Sequence, residues 1–502
     1  MYHQTVFENL GKYYDSRHLD LFERAYEFAT RAHAGQKRKS GEDYMVHCLA
    51  VADYLGNHLH MDMSTVAAAL LHDVPEDTTT SIIDIRKEFG DQIAFLVAGM
   101  TKLGKIKLRN QKDENYIETL RKMFLSMAAD IRVVLIKLAD RRHNMETIQY
   151  LPEEKRERIA RETLEVYAPI ADRLGMGELK GELEDLSFPY VYPKDYEWLE
   201  GQVREKYEEM KSYVDRVKDI IIKDFQAAAI KYVDVHGRAK HLYSLYQKIL
   251  RPKYNRDLSK IYDLVALRII TKNLEDCYAT LGILHSKYRP LPGRIKDYIA
   301  FPKPNGYRSI HTTVFGPEGR ILEIQIRTAE MHQEAELGIA AHWAYSEHGK
   351  PKSGYRVPVQ QLEWVKQLRD WQKEMGGDPK EFMESLKIDF FKNRIFVFTP
   401  RGDVKDLPEG ATALDFAFAV HTDLGLMAGG AKVNNIMAKL SDELQNGDVV
   451  DVQKVNQPKV SRDWLRFVKT SNARGKIKSY LNQHQKGWLS GFLPEFKFLN
   501  KK

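Results

Sequence analysis

The chain has 502 residues, and at about 100–200 residues per domain this length predicts three or four domains. Charged residues make up 29% of the sequence, and no stretch approaches the roughly 18 apolar residues of a membrane span. The two cysteines lie far apart, which excludes a disulfide framework or a cysteine zinc finger and favours a reducing cytoplasm. The first residues lack the basic flank and apolar run of a signal peptide, so none is expected.

The net charge of +7 is spread unevenly along the chain. The segment from Arg238 to Arg308 contains 15 basic and five acidic residues, so this segment carries the whole excess. A local surplus of this size predicts a polyanionic ligand, either a nucleotide or a nucleic acid. The alternative is a solvated basic face without a ligand.

Residues 1–177 are predicted to form an all-α domain. Apolar residues recur at helical spacing, as in Phe22 and Ala25 or in Ile131 and Leu135. No alternation typical of strands is present in this part of the sequence.

The pattern changes after a predicted helical connector at 178–230. Residues 231–345 combine strands with helices, and in the clearest strand, 320–327, leucine and isoleucine alternate with polar side chains. We predict a mixed α/β domain here. The remaining predicted segments are a linker with short helices at 346–388, a small β-rich domain at 389–453 and a basic helical region at 454–502.

Four residues of the helical domain have side chains that suit a divalent transition metal. They are His47, the adjacent pair His72 and Asp73, and Asp140. The pair is predicted to close an apolar helix, which Pro75 then interrupts. A metal held there would lower the pKa of a bound water and hold a phosphate oxygen. The alternative is that these are ordinary capping and surface residues.

Further polar residues lie beside this set. Glu76 and Asp77 follow the His-Asp pair and are candidates for proton transfer or for orienting a water. Asp140, Asn144 and Thr147 are spaced to share one helix face, and a buried polar stripe needs a partner. A histidine, a His-Asp pair and a distant aspartate on helices resemble the pattern of the HD phosphohydrolases.

The α/β domain has a second pair of candidate carboxylates. Asp263 is predicted to open an apolar strand, and Glu323 lies on the polar face of another. Two carboxylates on neighbouring strands can hold Mg²⁺ against phosphates, and surrounding cations would neutralise a transferring phosphoryl group. The candidate cations are Arg238, Lys240, Lys248, Arg268, Arg294, Lys296, Lys303 and Arg327.

A tight loop at 303–307 adds polar and aromatic groups. Tyr307 could stack on a base, and Asn305 could hydrogen-bond that base or a ribose; the alternative for Tyr307 is a packed loop aromatic. The sequence has neither a Gly-x-x-x-x-Gly-Lys phosphate loop nor a Gly-x-Gly-x-x-Gly fingerprint. A nucleotide site here would be of another type.

Together these motifs resemble the long RelA/SpoT homologues, the enzymes that make and destroy the alarmone (p)ppGpp. In the helical domain the resemblance covers residues 38–42, 72–78 and 138–145. It implies an HD-type hydrolase that uses Mn²⁺ to remove the 3′-pyrophosphate, with Glu76 and Asp77 in catalysis. The implied Mn²⁺ ligands are His47, His72, Asp73 and Asp140. The implied substrate-binding residues are Arg38, Lys39, Asn144 and Thr147.

In the α/β domain the resemblance implies a nucleotidyltransferase-like synthetase. This enzyme would transfer pyrophosphate from ATP to the 3′-hydroxyl of GDP or GTP, with Asp263 and Glu323 as catalytic and Mg²⁺-binding carboxylates. Tyr307 would be the platform for guanine. The implied nucleotide-binding residues are Arg238, Lys240, Ser244, Lys248, Arg268, Arg294, Lys296, Lys303, Asn305, Tyr307, His311, Gln325 and Arg327. The Arg-x-Lys-Asp form at 294–297 is similar to that of bifunctional members.

Residues 396–402 and 419–422 resemble parts of a TGS domain, a small β-grasp-like module. In this family the module senses uncharged tRNA on stalled ribosomes, and His421 matches the residue placed near the tRNA 3′ end. Long members continue into a Cys-rich finger and an ACT-like domain, which this sequence, ending at Lys502, is expected to lack.

The leading hypothesis is a bifunctional cytoplasmic enzyme that binds ATP, GDP or GTP, and (p)ppGpp. One alternative is a one-way enzyme in which hydrolysis dominates and the other domain is regulatory. Another is a regulator that binds deacylated tRNA or the ribosome through residues 394–502. Because two opposed activities running together would only consume ATP, we predict reciprocal control relayed through residues 178–230.

Overall fold

The computed structural model describes residues 2–104, 130–252, 254–303, 305–341 and 394–489. The chain divides into two compact units, Met1–Gly376 and Gly377–Lys502. In the described ranges no helix is both long and apolar enough to cross a membrane. The predicted linker and helices at 346–388 lie outside the described residues.

Between Tyr2 and Val191, all the secondary-structure elements that the structure describes are helices, as predicted. Asp15, Asp62 and Asp130 begin three of these helices by accepting hydrogen bonds from first-turn backbone N–H groups. The α-helices are α1 (Tyr2–Leu10), α2 (Ser16–Ala32), α3 (Tyr44–Asp53), α4 (Met63–Leu70), α5 (Val74–Asp77), α6 (Ile82–Gly104), α7 (Ile131–Glu146), α8 (Glu153–Glu162), α9 (Ala168–Arg173) and α10 (Gly177–Val191).

The predicted connector contains α10 and the 35-residue helix α11 (Pro193–Ala227). One face of α11 is apolar and buried, as Tyr213, Val217 and Phe225 illustrate. These side chains pack in the same core as the sheet that follows. The connector is therefore an integral layer of the α/β region.

The α/β region contains a five-stranded sheet with the order β1-β2-β5-β4-β3. Its elements are β1 (Tyr232–Ala239), α12 (Leu242–Ile249), β2 (Val265–Thr271), α13 (Leu274–Lys287), β3 (Lys296–Asp297), β4 (Ile310–Phe315), β5 (Ile321–Thr328) and α14 (Ala329–Leu337). Strands β2 and β5 are parallel, with Leu267 opposite Ile324, and the other pairs are antiparallel. Leu322, Ile324 and Ile326 enter the core, which leaves the alternate residues of β5 on the opposite face.

The end of α14 contacts the turn between α9 and α10. Ile339 N donates to Leu174 O at 2.9 Å. Gly338 has a φ of +57°, and a Cβ there would collide with the same carbonyl oxygen. This close approach joins the helical and α/β regions and requires a glycine.

The second unit combines small sheets with helices. Its elements are β6 (Arg394–Phe398), β7 (Val404–Pro408), α15 (Ala413–Val420), α16 (Thr422–Leu426), β8 (Ala428–Val433), β9 (Ile436–Ala438), β10 (Val450–Lys454), α17 (Trp464–Phe467) and α18 (Ser471–Leu489). Trp464 and Ile477 share a core with Leu414 and Phe418 of α15. The helical residues after 453 therefore pack on the β-rich unit, although their sequence shows no core of its own.

Two predicted boundaries are wrong. Helix α4 ends at Leu70, and Pro75 lies in the first turn of the next short helix. His72 and Asp73 therefore lie in the turn between these two helices and do not close α4. Strand β2 begins at Val265, opposite the last residue of β1, so Asp263 precedes the strand.

Candidate active sites

Two histidines and two aspartates converge in the helical region. His47 lies on α3, Asp140 lies on α7, and His72 and Asp73 lie in the turn after α4. His72 Nε2 is 3.1 Å from Asp73 Oδ2, and His47 Nε2 is 3.3 Å from Asp140 Oδ1. The two remaining nitrogen–oxygen distances are 3.6 and 3.9 Å. The structure thus brings together all four predicted metal ligands.

Hydrogen bonds orient both imidazoles. His72 Nδ1 lies 2.7 Å from Ala69 O, which can only accept, so Nδ1 donates and Nε2 faces the aspartates. His47 Nδ1 lies 2.9 Å from His143 Nδ1, which is also 2.9 Å from the guanidinium of Arg38. Because Arg38 can only donate, His143 Nδ1 is an acceptor and His47 Nδ1 donates to it. Such outer partners commonly orient metal-binding histidines.

Asp140 is buried and has two further partners. Lys137 Nζ is 2.6 Å from Asp140 Oδ2, and Asn144 Nδ2 donates to Oδ1 at 2.5 Å. Arg38 in turn donates to Asn144 Oδ1 at 2.7 Å. Burial raises the pKa of Asp140, but the Lys137 ammonium and the imidazoles outweigh it and hold this pKa well below its ordinary range. Asp140 is therefore an ionised carboxylate.

Glu76 and Asp77 lie on the short helix α5. The Tyr44 hydroxyl is 2.5 Å from Asp77 Oδ2 and 2.9 Å from Asp73 Oδ2, so it connects Asp77 to the predicted ligands. Partial burial and the Asp73 charge raise the pKa of Glu76 to about 7. A carboxyl group with this pKa can take up and release a proton near neutral pH.

The donor set fits a divalent transition metal. His47, His72 and Asp73 each offer one atom, and these atoms lie within 4.8 Å of one another. His72 Nε2 is buried, and although Asp73 Oδ2 is 3.1 Å away, it makes no hydrogen bond of suitable geometry to the described residues. Burial lowers the pKa of His72, but the Asp73 and Asp140 charges raise it to about 9. A cation bound here would replace the proton that His72 otherwise carries on Nε2 at neutral pH.

Two predicted substrate-binding residues lie at the edges of this region. Lys39 is exposed between α2 and α3. Thr147 does not continue the helix face as predicted, because α7 ends at Glu146. Its hydroxyl instead donates to His143 O at 3.1 Å and caps the helix end.

At the sheet, Asp263 lies between two of the predicted nucleotide-binding lysines. Lys240 Nζ is 2.6 Å from Oδ2, and Lys248 Nζ is 2.6 Å from Oδ1. Burial raises the pKa of Asp263, but the two ammonium groups outweigh it and lower this pKa to about 2. The Asp263 carboxylate is thus ionised, and each of its oxygens pairs with one lysine.

Glu323 contacts two further predicted residues. Gln325 Nε2 donates to Glu323 Oε1 at 3.1 Å, and His311 Nδ1 is 3.5 Å from the same oxygen. Burial raises the pKa of Glu323, as does the nearby Asp263 charge, but His311 and Gln325 bring it below its ordinary value. Glu323 is therefore held by two of the predicted nucleotide-binding residues.

The loop after β3 places Tyr307 beside His311, which contacts Glu323. The Tyr307 hydroxyl lies 2.8 Å from His311 Nε2, and the Lys303 ammonium lies 5.0 Å from the centroid of the Tyr307 ring. Tyr307 N donates to Asn305 Oδ1 at 3.2 Å, and Asn305 Nδ2 donates to Asp172 O at 3.5 Å. The predicted loop residues thus form one connected group.

Acidic residues outside the basic segment partly neutralise the predicted cations. Glu336 on α14 accepts hydrogen bonds from Arg268 at 2.9 Å and from Arg327 at 2.7 Å. The Ser244 hydroxyl also contacts an acidic residue from outside this segment, since it donates a hydrogen bond to Glu184 Oε2 of the connector at 3.1 Å. Four of the eight predicted cations, Lys240, Lys248, Arg268 and Arg327, are therefore paired with carboxylates in the fold.

The other predicted cations reach both edges of the sheet. Arg238 lies on β1 and Lys296 on β3, the two edge strands, and Arg294 is exposed just before β3. The predicted nucleotide-binding residues therefore extend across the whole sheet.

Comparisons with known proteins match three parts of the chain. An HD domain matches residues 25–177, the region found in RelA/SpoT proteins matches residues 237–350, and a TGS domain matches residues 395–454. The chain is 48% identical to a GTP pyrophosphokinase of Streptomyces coelicolor, over 93% of this chain and 56% of that protein. It is 46% identical to the bifunctional (p)ppGpp synthase/hydrolase RelA of Mycobacterium tuberculosis, over 94% of this chain and 64% of that protein.

The chain belongs to the RelA/SpoT family. It is also 44% identical to a guanosine-3′,5′-bis(diphosphate) 3′-pyrophosphohydrolase of Aquifex aeolicus, over 94% of this chain and 66% of that protein. The chain spans about 56–66% of the length of these three relatives. The predicted combination of HD, synthetase and TGS folds is confirmed, and the HD domain indicates use of a divalent metal.

In this RelA/SpoT family member, the predicted tRNA-contact residue His421 lies in the second unit. It precedes α16, and its Nδ1 accepts a hydrogen bond from Asp423 N at 3.2 Å. Its side chain is 69% exposed, so it is free to meet another molecule.

Sequence analysis missed four residues of the two sites: Tyr44, Lys137, His143 and Glu336. Three of them lie three positions from a predicted ligand, Tyr44 from His47 and Lys137 and His143 from Asp140, so helical spacing could have identified them. Glu336 has no such signal, because only the packing of α14 on the RelA/SpoT sheet brings it to the arginines.

Proposed function

We propose that the chain is a bifunctional alarmone enzyme. It would make (p)ppGpp by transferring pyrophosphate from ATP to the 3′-hydroxyl of GDP or GTP, and it would hydrolyse (p)ppGpp to GDP or GTP and pyrophosphate. The observation that carries this proposal is the presence of two separate carboxylate sites in one chain. One is built on Asp73 and Asp140 among helices, and the other on Asp263 and Glu323 at a sheet.

We assign hydrolysis to the helical site, with Mn²⁺ as its cofactor. The residues that would hold the cation are His47, His72, Asp73 and Asp140. The bound cation would supply Lewis-acid activation of water and of a phosphate oxygen. Glu76, with its pKa near 7, would accept the proton of the attacking water. As the bond from phosphorus to the 3′ oxygen breaks, the proton would pass to that oxygen, while Tyr44 keeps Asp77 in place.

Substrate binding in the helical site is assigned to four polar residues. They are Arg38, Lys39, Asn144 and Thr147. Arg38 is anchored by His143 and Asn144, so its guanidinium is fixed beside the ligand set rather than extended into solvent. A fixed cation here suits the phosphates of (p)ppGpp.

We assign synthesis to the sheet site, with Asp263 and Glu323 as Mg²⁺ ligands. The bound cation would neutralise charge on the ATP phosphates. The oxygen of the 3′-hydroxyl would attack the β-phosphorus of ATP while Glu323 accepts the hydroxyl proton, and AMP would leave. Lys240 and Lys248, which pair with Asp263, would turn to the phosphates, and Tyr307 would support guanine.

We propose that the chain is organised as predicted, with the connector relaying reciprocal control between the sites. The contacts of α10 with α12 support this role, since Asp185 accepts hydrogen bonds from His241 Nδ1 at 2.8 Å and Tyr243 N at 2.9 Å. The proposed domains are the hydrolase at 1–177, the connector at 178–230, the synthetase at 231–345, the linker at 346–388, the TGS domain at 389–453 and the helical region at 454–502.

The direct test uses two assays on the purified chain. ATP with GDP and Mg²⁺ should yield AMP and ppGpp, and ppGpp with Mn²⁺ should yield GDP and pyrophosphate. Turnover in both assays supports the proposal. Hydrolysis without synthesis, under both low and high GDP, would instead favour the one-way enzyme.

We also propose that the TGS domain binds deacylated tRNA, and that the enzyme acts in the cytoplasm. The exposed His421 supports a tRNA contact, and two buried free cysteines fit a reducing compartment. Filter binding of deacylated tRNA over a salt series tests the contact, because phosphate contacts give a steep salt dependence. Absence of binding at low salt would contradict it.

A further inference from the structure

One ring nitrogen in the helical region lies within hydrogen-bond distance of two donors. His143 Nδ1 is 2.9 Å from His47 Nδ1 and 2.9 Å from Arg38 Nη1. Because an arginine can only donate, this nitrogen is an acceptor, and both donors share its single lone pair. His143 therefore connects a predicted metal ligand to a predicted substrate-binding cation.

The contact with His47 decides which of its two nitrogens can bind a cation. Because His47 Nδ1 donates to His143, the neutral imidazole carries its proton on Nδ1 and keeps a lone pair on Nε2. His47 Nε2 lies 3.3 Å from Asp140 Oδ1 and 3.6 Å from Asp73 Oδ2. A stronger hydrogen bond at Nδ1 makes Nε2 more basic and holds the ring in this orientation.

The contact with Arg38 belongs to a second connection to the same ligand set. Arg38 Nη2 donates to Asn144 Oδ1 at 2.7 Å, and Asn144 Nδ2 donates to Asp140 Oδ1 at 2.5 Å. Asp140, His143 and Asn144 are spaced to share one face of α7. The backbone of Arg38 is also held, since its N donates to Glu42 O at 2.9 Å. The guanidinium thus contacts the outer partners of two predicted ligands.

Sharing of one lone pair makes the two contacts at His143 oppose each other. A hydrogen bond from the Arg38 guanidinium draws the lone pair toward this cation and weakens the bond from His47. A phosphate bound to the other N–H groups of Arg38 would offset its charge, and His143 would then accept more strongly from His47. Binding of an anionic nucleotide and binding of a metal should therefore favour each other.

We propose that His143 is a positioning residue that couples nucleotide binding to metal binding in the helical site, a role that rests on the proposed hydrolase function. It holds His47 for the cation, and the strength of this hold depends on Arg38. Such coupling is reciprocal, so the affinity for the nucleotide rises by the same factor when a cation is bound.

The test measures Mn²⁺ binding by calorimetry to the full, metal-stripped chain without nucleotide. His143→Ala removes the acceptor. His143→Asn replaces it with a carboxamide oxygen near the position of Nδ1, and the two lone pairs of this oxygen can serve both donors. The matched control is His58→Ala, since His58 is another histidine of the helical region and pairs with Glu178 at 3.4 Å.

The first comparison tests the positioning role. His143→Ala should weaken Mn²⁺ binding by about tenfold or more, as loss of an outer partner of a metal ligand usually does. His143→Asn should recover most of this loss, and His58→Ala should stay within about twofold of the wild type. Unchanged affinity in His143→Ala, or an equal loss in His143→Asn or in His58→Ala, would overturn the role.

A double-mutant cycle tests the coupling, which a merely structural role for His143 would not produce. Arg38→Met should strengthen Mn²⁺ binding, because a nearby positive charge is lost and because the competition for Nδ1 ends. The charge effect is the same with either residue at position 143, whereas the competition requires the single lone pair of histidine. The gain should therefore be about threefold or more larger with His143 than in the His143→Asn background. Equal gains would overturn the coupling, and this comparison does not require His143→Ala to fold.

Metal binding and hydrolysis fail separately in this design. If Mn²⁺ binding responds as expected but the chain does not hydrolyse ppGpp, the proposed hydrolysis is wrong and the positioning role stands. If ppGpp is hydrolysed but the affinity for Mn²⁺ does not depend on His143, only the positioning role is wrong.

Discussion

The two sites hold their carboxylates in different ways. In the helical site, Asp73 and Asp140 converge on two imidazoles, which can act as neutral metal ligands. In the sheet site, both oxygens of Asp263 are taken by the ammonium groups of Lys240 and Lys248. The first arrangement already presents its donor atoms together, as the proposed metal site requires. Under the proposed function, the second would be open to Mg²⁺ only after Lys240 and Lys248 had turned from Asp263 to bound phosphates.

This comparison predicts the largest effect for removal of metal from the hydrolase. Stripping the chain with a chelator should reduce ppGpp hydrolysis by about 10³-fold or more, because the water would lose the cation that lowers its pKa. Release of pyrophosphate measures the rate, and adding Mn²⁺ back should restore it. Full hydrolysis in the presence of excess chelator would contradict a metal role for the convergent set.

A smaller loss is expected from removing one lysine at the sheet. Lys248→Met should lower the synthesis rate by about 10²-fold, because one charge on the transferring phosphates is lost. Production of AMP from ATP and GDP measures this rate. The control is Lys260→Met, since Lys260 also pairs with an aspartate but is exposed. Equal rates in the two variants would show that pairing with Asp263 has no special role.

The junction between the two regions should be sensitive to one added methyl group. Gly338→Ala should destabilise the first unit by about 2–3 kcal/mol, because its φ is positive and its Cβ would strike Leu174 O. Urea unfolding measures the loss. Gly201→Ala is the control, because it lies within α11 with nothing near its Cβ, and it should gain up to about 1 kcal/mol. Unchanged stability in Gly338→Ala would contradict this packing.

The smallest effect concerns acid stability. Burial raises the pKa of Glu336, but Arg268 and Arg327 outweigh it and lower this pKa to about 2. Its ionised form therefore contributes stability above its ordinary pKa of 4.5, and this contribution is lost as the pH falls toward 2. Glu336→Gln should cost on the order of 2 kcal/mol at pH 7, and the difference from wild type should shrink below about pH 4.5.

Urea unfolding at several pH values checks this prediction. The wild-type curve should converge on that of Glu336→Gln in acid. The matched control is Glu334→Gln on the same helix, because Glu334 pairs with Arg308 at 2.7 Å, and it should not reproduce the same pH dependence. A difference that stays constant from pH 7 to pH 3 would contradict ionisation of Glu336 as its source.

The sequence was sufficient to pick out the four side chains that converge in the helical region and to mark Asp263 and Glu323 as carboxylates of the sheet region, because motif spacing and strand alternation are local signals. It was not sufficient for the electrostatic balance of the sheet site. Composition between Arg238 and Arg308 shows excess positive charge, yet Glu336 and Glu184 enter from a later helix and from the connector. Such pairings depend on tertiary packing, which no local pattern contains. The same holds for Gly338, whose constraint arises from a distant carbonyl.

The most direct test of two separate sites is a crossed assay of Asp73→Asn and Glu323→Gln. Both rates, ppGpp hydrolysis with Mn²⁺ and ppGpp synthesis with Mg²⁺, are measured for each variant. Asp73→Asn should lose hydrolysis by about 10³-fold or more and still synthesise, and Glu323→Gln should show the reverse. If either substitution abolished both reactions, or left both intact, the assignment of one reaction to each site would be contradicted.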